Sequence, residues 1–263
     1  MMPRTTCGMP RASPATEREA TTHMTLKMLA GGLIAGFAAG LIAAMLHFAF
    51  VQDLILLGEK YETGALTHFE GGHAKAEAGE RAGHETGSAH AHSAKDSDSP
   101  FSRNALTVAF TCLIYVAYGL ILVAGFGLAE RYGVSIGLKE GVLWGIAGFA
   151  AFQLAPALGL APELPGTLAA ELANRQVWWA GTVAATAGGL ALLAFGPGLG
   201  FVALGAVLLA APHVIGAPMP DGYAGSAPPE LAAAFTARVL GVGLAAWAFL
   251  GGVAGKLWSG RLV

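Results

Sequence analysis

Long apolar stretches that carry almost no charge set the terms on which this chain can fold. Residues 26–50 hold one ionisable centre in their core, His47. A helix that crosses a bilayer needs roughly 20 apolar residues at about 1.5 Å rise each. Comparable stretches lie at 104–128, 140–160, 177–195, 199–216 and 233–257. The pattern predicts an all-α protein, a polytopic transmembrane helical bundle of about six spans. Between the fourth and fifth lies only Gly196-Pro197-Gly198, a turn of breakers that suits a helical hairpin. Read as one kinked element, that pair reduces the count to five and moves the C-terminus to the other side. Composition argues the same way: charged residues are 12%, against about 25% in soluble domains, with mean hydropathy +0.57. There is too little polar surface to solvate a domain of this length in water.

The segments outside the spans differ sharply from them. Residues 1–23 hold Pro3, Pro10, Pro14, Arg4, Arg11 and Arg18 without periodicity, before Met24-Thr25-Leu26-Lys27 opens the first span. They read as a disordered tail or as an upstream extension of the reading frame, with Met24 the start favoured; residues 24–263 form the membrane domain. A cleaved signal peptide fits poorly, because its apolar region runs only about 7–15 residues. Cys7 in the tail and Cys112 in a span predict no disulfide. With six spans and a cytoplasmic N-terminus, Lys27, Arg131, Lys139, Lys256 and Arg261 fall inside, while the short outer loops carry only Arg175 and Arg238. Thirteen of the seventeen acidic residues then fall outside, Glu163 and Glu171 among them, and an acidic outer face concentrates cations near it. The expected location is the cytoplasmic (inner) membrane, with both termini cytoplasmic and the long loop 51–103 outside.

Histidine marks the chemistry. His68, His73, His84, His90 and His92 crowd into residues 68–92 of that loop, among Ala, Gly and Glu. The segment is too poor in apolar residues to fold alone, so the histidine-rich outer loop at about 51–103 is expected to be disordered. His90-Ala-His92 with nearby carboxylates suits loose capture of a borderline metal ion; the plainer reading is a solvated linker. Polar side chains at membrane depth are costly and usually functional. His47 and His213 each lie near the outer end of a span, and Glu163 follows the third span on the same side. Two imidazoles and a carboxylate at one depth suit Co(II), Ni(II), Zn(II) or Fe(II); the alternative is that each side chain satisfies a separate backbone group. Pro212 beside His213 leaves the Leu208 carbonyl without its usual donor, and Pro156 does the same to Phe152, next to the polar Gln153. Broken helices at membrane depth line cavities, and transporters place substrates there, although a plain kink also fits. Gly32, Gly36 and Gly40 form consecutive GxxxG steps, repeated by Gly251 and Gly255, which favours tight packing within the chain over a dimer interface.

Three segments resemble one family. Gly159-Leu-Ala-Pro-Glu-Leu-Pro-Gly166, Arg175-Gln-Val-Trp-Trp179 and Ala211-Pro-His-Val-Ile-Gly-Ala-Pro218 are similar to the CbtA-type cobalt transporter subunits, as is the first span ending in His47 before Glu59-Lys-Tyr-Glu62. The likeness runs from about Met24 to the C-terminus; the histidine-rich insertion around 68–100 and the tail depart from it. It implies cobalt uptake feeding cobalamin synthesis, beside a small single-span, histidine-bearing CbtB-type partner. It implies no catalytic residue and no permanently bound cofactor, the divalent ion being cargo. No nucleic-acid partner is expected.

No G-x-x-x-x-G-K-[ST] loop is present, so nucleotide does not energise this chain directly. At about 2.3 kcal/mol per charge per 100 mV, an inside-negative potential gives a dication about 4.6 kcal/mol, roughly three decades of accumulation. The competing expectations are a bis-histidine haem subunit of an electron-transfer complex, with His47 and His213 as axial ligands, and a membrane protein that buffers metal without transporting it.

Overall fold

Glycine decides how these helices meet. The computed structural model describes residues 14–68 and 99–260. Helix α1 (Pro14–Phe50) runs antiparallel to α3 (Pro100–Arg131), with Gly32 on Gly119, Gly36 on Tyr115 and Val116, and Gly40 on Cys112. A methyl group on Gly36 would stand 2.5 Å from the Val116 Cα, so any other residue forces the helices apart. The same device joins α4 (Leu138–Phe149) to α8 (Pro229–Ser259), where Gly141 and Gly145 interlock with Gly251 and Gly255. Lipid offers no hydrophobic drive between helices, so close backbone approach supplies the attraction. Both GxxxG faces are thus consumed inside the chain.

Around these seams the large side chains fill the centre. Trp247 and Phe126 are almost fully buried, and Tyr118 stacks at 4.5 Å from Trp247, with Phe152 5.6 Å from the same indole. The Trp247 ring lies over Gly148, where a side chain would collide with it. Helix α4 continues through a π-helical turn, Ala150–Leu154, into the short α5 (Ala155–Ala157). There the Ala155 N–H donates to the Ala150 carbonyl, one residue further back than in an α-helix. The wider ring is how the chain accommodates Pro156; π turns of this kind gather at functional sites.

Helices α6 (Leu172–Phe195) and α7 (Leu199–Ile215) form a hairpin across Gly196-Pro197-Gly198, closed by Gly189 against Gly205. Gly198 takes φ +110, open to glycine alone. Helices α1, α3, α6 and α8 are long and apolar enough to cross a membrane; α7 is a shorter apolar helix of 17 residues. With α4–α5, these elements make six antiparallel passes through the bundle, so the protein is an all-helical membrane bundle. Four of the expected spans fall on the four long apolar helices, and those at 140–160 and 199–216 fall on α4–α5 and α7.

Two expectations need correction. The loop 51–103 is not irregular at its start: Gln52–Glu62 forms helix α2. Asp53 in its first turn and Lys60 in its last complement the helix dipole, and Leu54 and Ile55 pack on Val51, Leu164 and Phe235. Helix α1 also begins at Pro14, ahead of the apolar run that opens at Leu26. The expectations for the rest of the tail and for the histidine-rich stretch lie outside the described residues.

Together α2, residues 158–171 and residues 216–228 cover one end of the bundle. Leu168 N–H donates to the Ala224 carbonyl, Ser226 N–H to that of Gly166, and the Thr236 hydroxyl to that of Pro162. At the opposite end lie the turns 132–137 and 196–198 and the last turn of α8.

Candidate functional site

The capped end holds a cavity of about 420 Å³ between the π turn, residues 158–163, the start of α6 and α8. Its polar lining is Gln153, Glu163, Arg175 and Gln176, with Pro156 and Trp179 among its apolar walls. The 175–179 segment is helical, so Arg175, Gln176 and Trp179 share this face of α6. Trp178 points the other way. Its indole N–H donates to the Pro212 carbonyl at 3.3 Å, and its ring packs on Gly159.

Gln153 forms the inner wall. Its Oε1 is buried with no hydrogen-bond partner among the described residues, while the Tyr115 phenol lies within hydrogen-bonding reach of its amide. The side chain turns against Gly243 of α8, and any Cβ there would overlap the amide oxygen. A bare amide oxygen at this depth is an acceptor in want of a donor or a cation, since leaving it unmatched costs about 1–3 kcal/mol. Glu163 stands at the outer wall, where its Oε2 accepts from the Arg175 guanidinium at 2.9 Å. The two side chains are 32% and 27% exposed, so the pair is reached from the aqueous end.

The other candidates are placed apart from this cavity. His213 is exposed in the last turn of α7, its ring 6.3 Å from that of Trp178 on the far face of α6. His47 lies on α1 at the same end, half-buried and edge-on to Phe48. Helices α1 and α7 share no close backbone contact. Among the described residues no three His, Cys, Asp or Glu side chains converge. His68 is exposed at the edge of the described residues; His73, His84, His90 and His92 lie outside them. What the structure does bring together is Gln153 with Glu163, joined by Arg175 and Gln176, neither of which stood among the expected site residues. The signal for Arg175 was present, as one of only two cations in the short loops of that end.

The rim is acidic, with Asp53, Glu62, Glu171 and Asp221 on the segments that cap the bundle and Glu230 in the first turn of α8. Such a field raises the local concentration of cations. A space of this size accommodates an ion with several of its waters, each occupying about 30 Å³.

The model of the CbtA family, described as a probable cobalt transporter subunit, matches residues 25–259. No curated protein and no solved structure matches the chain. The match spans all six passes and the three segments that build the capped end.

Proposed function

This chain belongs to the CbtA family, and from that membership we propose that it is the membrane permease subunit that imports cobalt, or a similar divalent ion, to supply cobalamin synthesis. The capped-end cavity carries the reading. It sets a reachable carboxylate and the Gln153 side chain on one lining, beside a helix that departs from regular winding. Helix irregularities of this kind are where transporters hold their cargo.

In this reading the capped end faces outward from the inner membrane and both termini face the cytoplasm. The histidine-rich segment collects metal, through His68, His73, His84, His90 and His92, and the acidic rim passes it to Glu163 and Gln153. His47 and His213 serve as flanking ligands at the same end and not as members of one coordination sphere. The ion is cargo and no covalent chemistry is required. A single-span CbtB-type partner fits the word subunit, and the membrane potential suffices to drive a dication inward. Ligand type does not choose cobalt over nickel or zinc; the family supplies that choice.

The test is cell-associated cobalt and cobalamin in cells that lack other cobalt importers, grown at limiting cobalt. Expression of this chain is expected to raise both. Unchanged cobalt at verified membrane expression would refute the reading.

A further inference from the structure

Among the described residues Arg175 is the one cation on the cavity wall, and it already occupies the carboxylate that an incoming metal ion would need. We propose that Arg175 is a tethered competitor: it neutralises Glu163 when the cavity is empty, and a divalent ion enters by displacing the guanidinium from the carboxylate. This deepens the transport reading and rests on it.

The geometry carries the argument. A carboxylate at 2.9 Å from a guanidinium has its charge compensated, so in the resting state the cavity offers a cation little net attraction. Both partners keep about a third of their side-chain surface open, so exchange does not require the pair to be pulled out of a dry interior. Arg175 lies in the first turn of α6, its N–H bonded back to the Glu171 carbonyl. Its long side chain therefore swings from a fixed base while the helix stays put. The open face of the cavity gives it somewhere to go, beside the acidic Glu171 of the same helix end.

The consequence for the cargo is selectivity by charge. A monovalent ion gains little over the guanidinium it must replace, because each brings one positive charge to one carboxylate. A divalent ion brings two, so its attraction to the one carboxylate exceeds that of the guanidinium it replaces. Displacement thus favours divalent ions without a cage of preformed ligands, in keeping with the lack of any three-ligand cluster among the described residues. Once the ion moves on, Arg175 returns to Glu163 and disfavours rebinding.

Initial rates of cobalt uptake against cobalt concentration test this, in cells lacking other cobalt importers and expressing the full chain. The variants are Arg175→Gln, Arg175→Lys, Glu163→Gln and the double change, each normalised to membrane protein. Removing the competitor in Arg175→Gln is expected to lower the half-saturating cobalt concentration about two- to fivefold, the range that a partly exposed ion pair gives. Excess sodium or potassium should then inhibit uptake, and should leave uptake by the parent unchanged. Arg175→Lys keeps the tethered charge and should behave like the parent. Glu163→Gln should raise half-saturation, and the double change should match it. If Arg175→Gln alters protein level or maximal rate alone, with half-saturation unmoved, the pair is a structural clasp and the proposal is overturned while Glu163 keeps its place. If Glu163→Gln behaves like the parent, the cavity itself is not the entry site. A parent chain that takes up no cobalt overturns the transport reading and the competitor with it.

Discussion

Gln153 owes its position to a residue on another helix. Gly243 has no side chain, so the amide oxygen turns into the bundle and remains bare. Gly243→Ala should push Gln153 out of place and impair uptake as strongly as Gln153→Leu. Both should cost on the order of tenfold or more at limiting cobalt, comparable to losing a supporting metal-site group. Sequence alone ranks His213→Ala as the most damaging single change. Its exposed place beside Trp178, across α6 from the cavity, reverses that order: His213→Ala should stay within about threefold of the parent, the spread of an exposed contact. An uptake assay on the three variants at matched expression checks the ranking, and a His213→Ala loss exceeding that of Gln153→Leu would restore the histidine to the pathway. Gln153 was legible because a polar residue beside a proline at membrane depth stands out. Arg175 stood out as a cation, but its partner did not, since nothing local says which carboxylate it will find.

At the level of elements, the glycine seams were readable and their partners were not. Consecutive GxxxG steps announce close packing, yet only the fold says that α1 meets α3 and α8 meets α4. Gly145→Leu should therefore disrupt the α4–α8 seam and cut the amount of folded protein in the membrane severalfold, an effect of the scale reported for overpacked cores at about 1–3 kcal/mol. Gly200, with nothing near it, accepts the same change with protein level unaltered. Fluorescence-detected size exclusion of the two variants separates them, and equal yields would mean that the seam does not hold the bundle. Helix α2 escaped the sequence reading because its apolar run, residues 54–57, is short; Leu54 and Ile55 become a partly buried face only against Leu164 and Phe235, far along the chain. The π turn escaped for a related reason. Pro156 signals a broken ladder, but the widened ring that repairs it depends on packing against α8 and α6.

On the scale of the whole molecule, six alternating passes place α2, residues 158–171 and residues 216–228 at one end and the chain's last helical turn at the other. A cysteine introduced at Ser88 in a chain with Cys7 and Cys112 replaced by serine should react with an impermeant maleimide in intact cells whose outer barrier is open. Labelling only after lysis would put the capped end, and the cavity with it, on the cytoplasmic side. The family and the helical class were both evident in the sequence, because hydropathy and the three motif segments are local. The cavity was not, because its walls come from three separated segments. Import through this chain is the central claim, and radiolabelled cobalt uptake into vesicles holding this chain as their only protein tests it most directly. With an imposed inside-negative potential of about 100 mV, cobalt should accumulate toward a limit of roughly three decades and leak back when the potential is collapsed. Uptake no faster than that of protein-free vesicles, with the chain folded in the bilayer, would contradict the account.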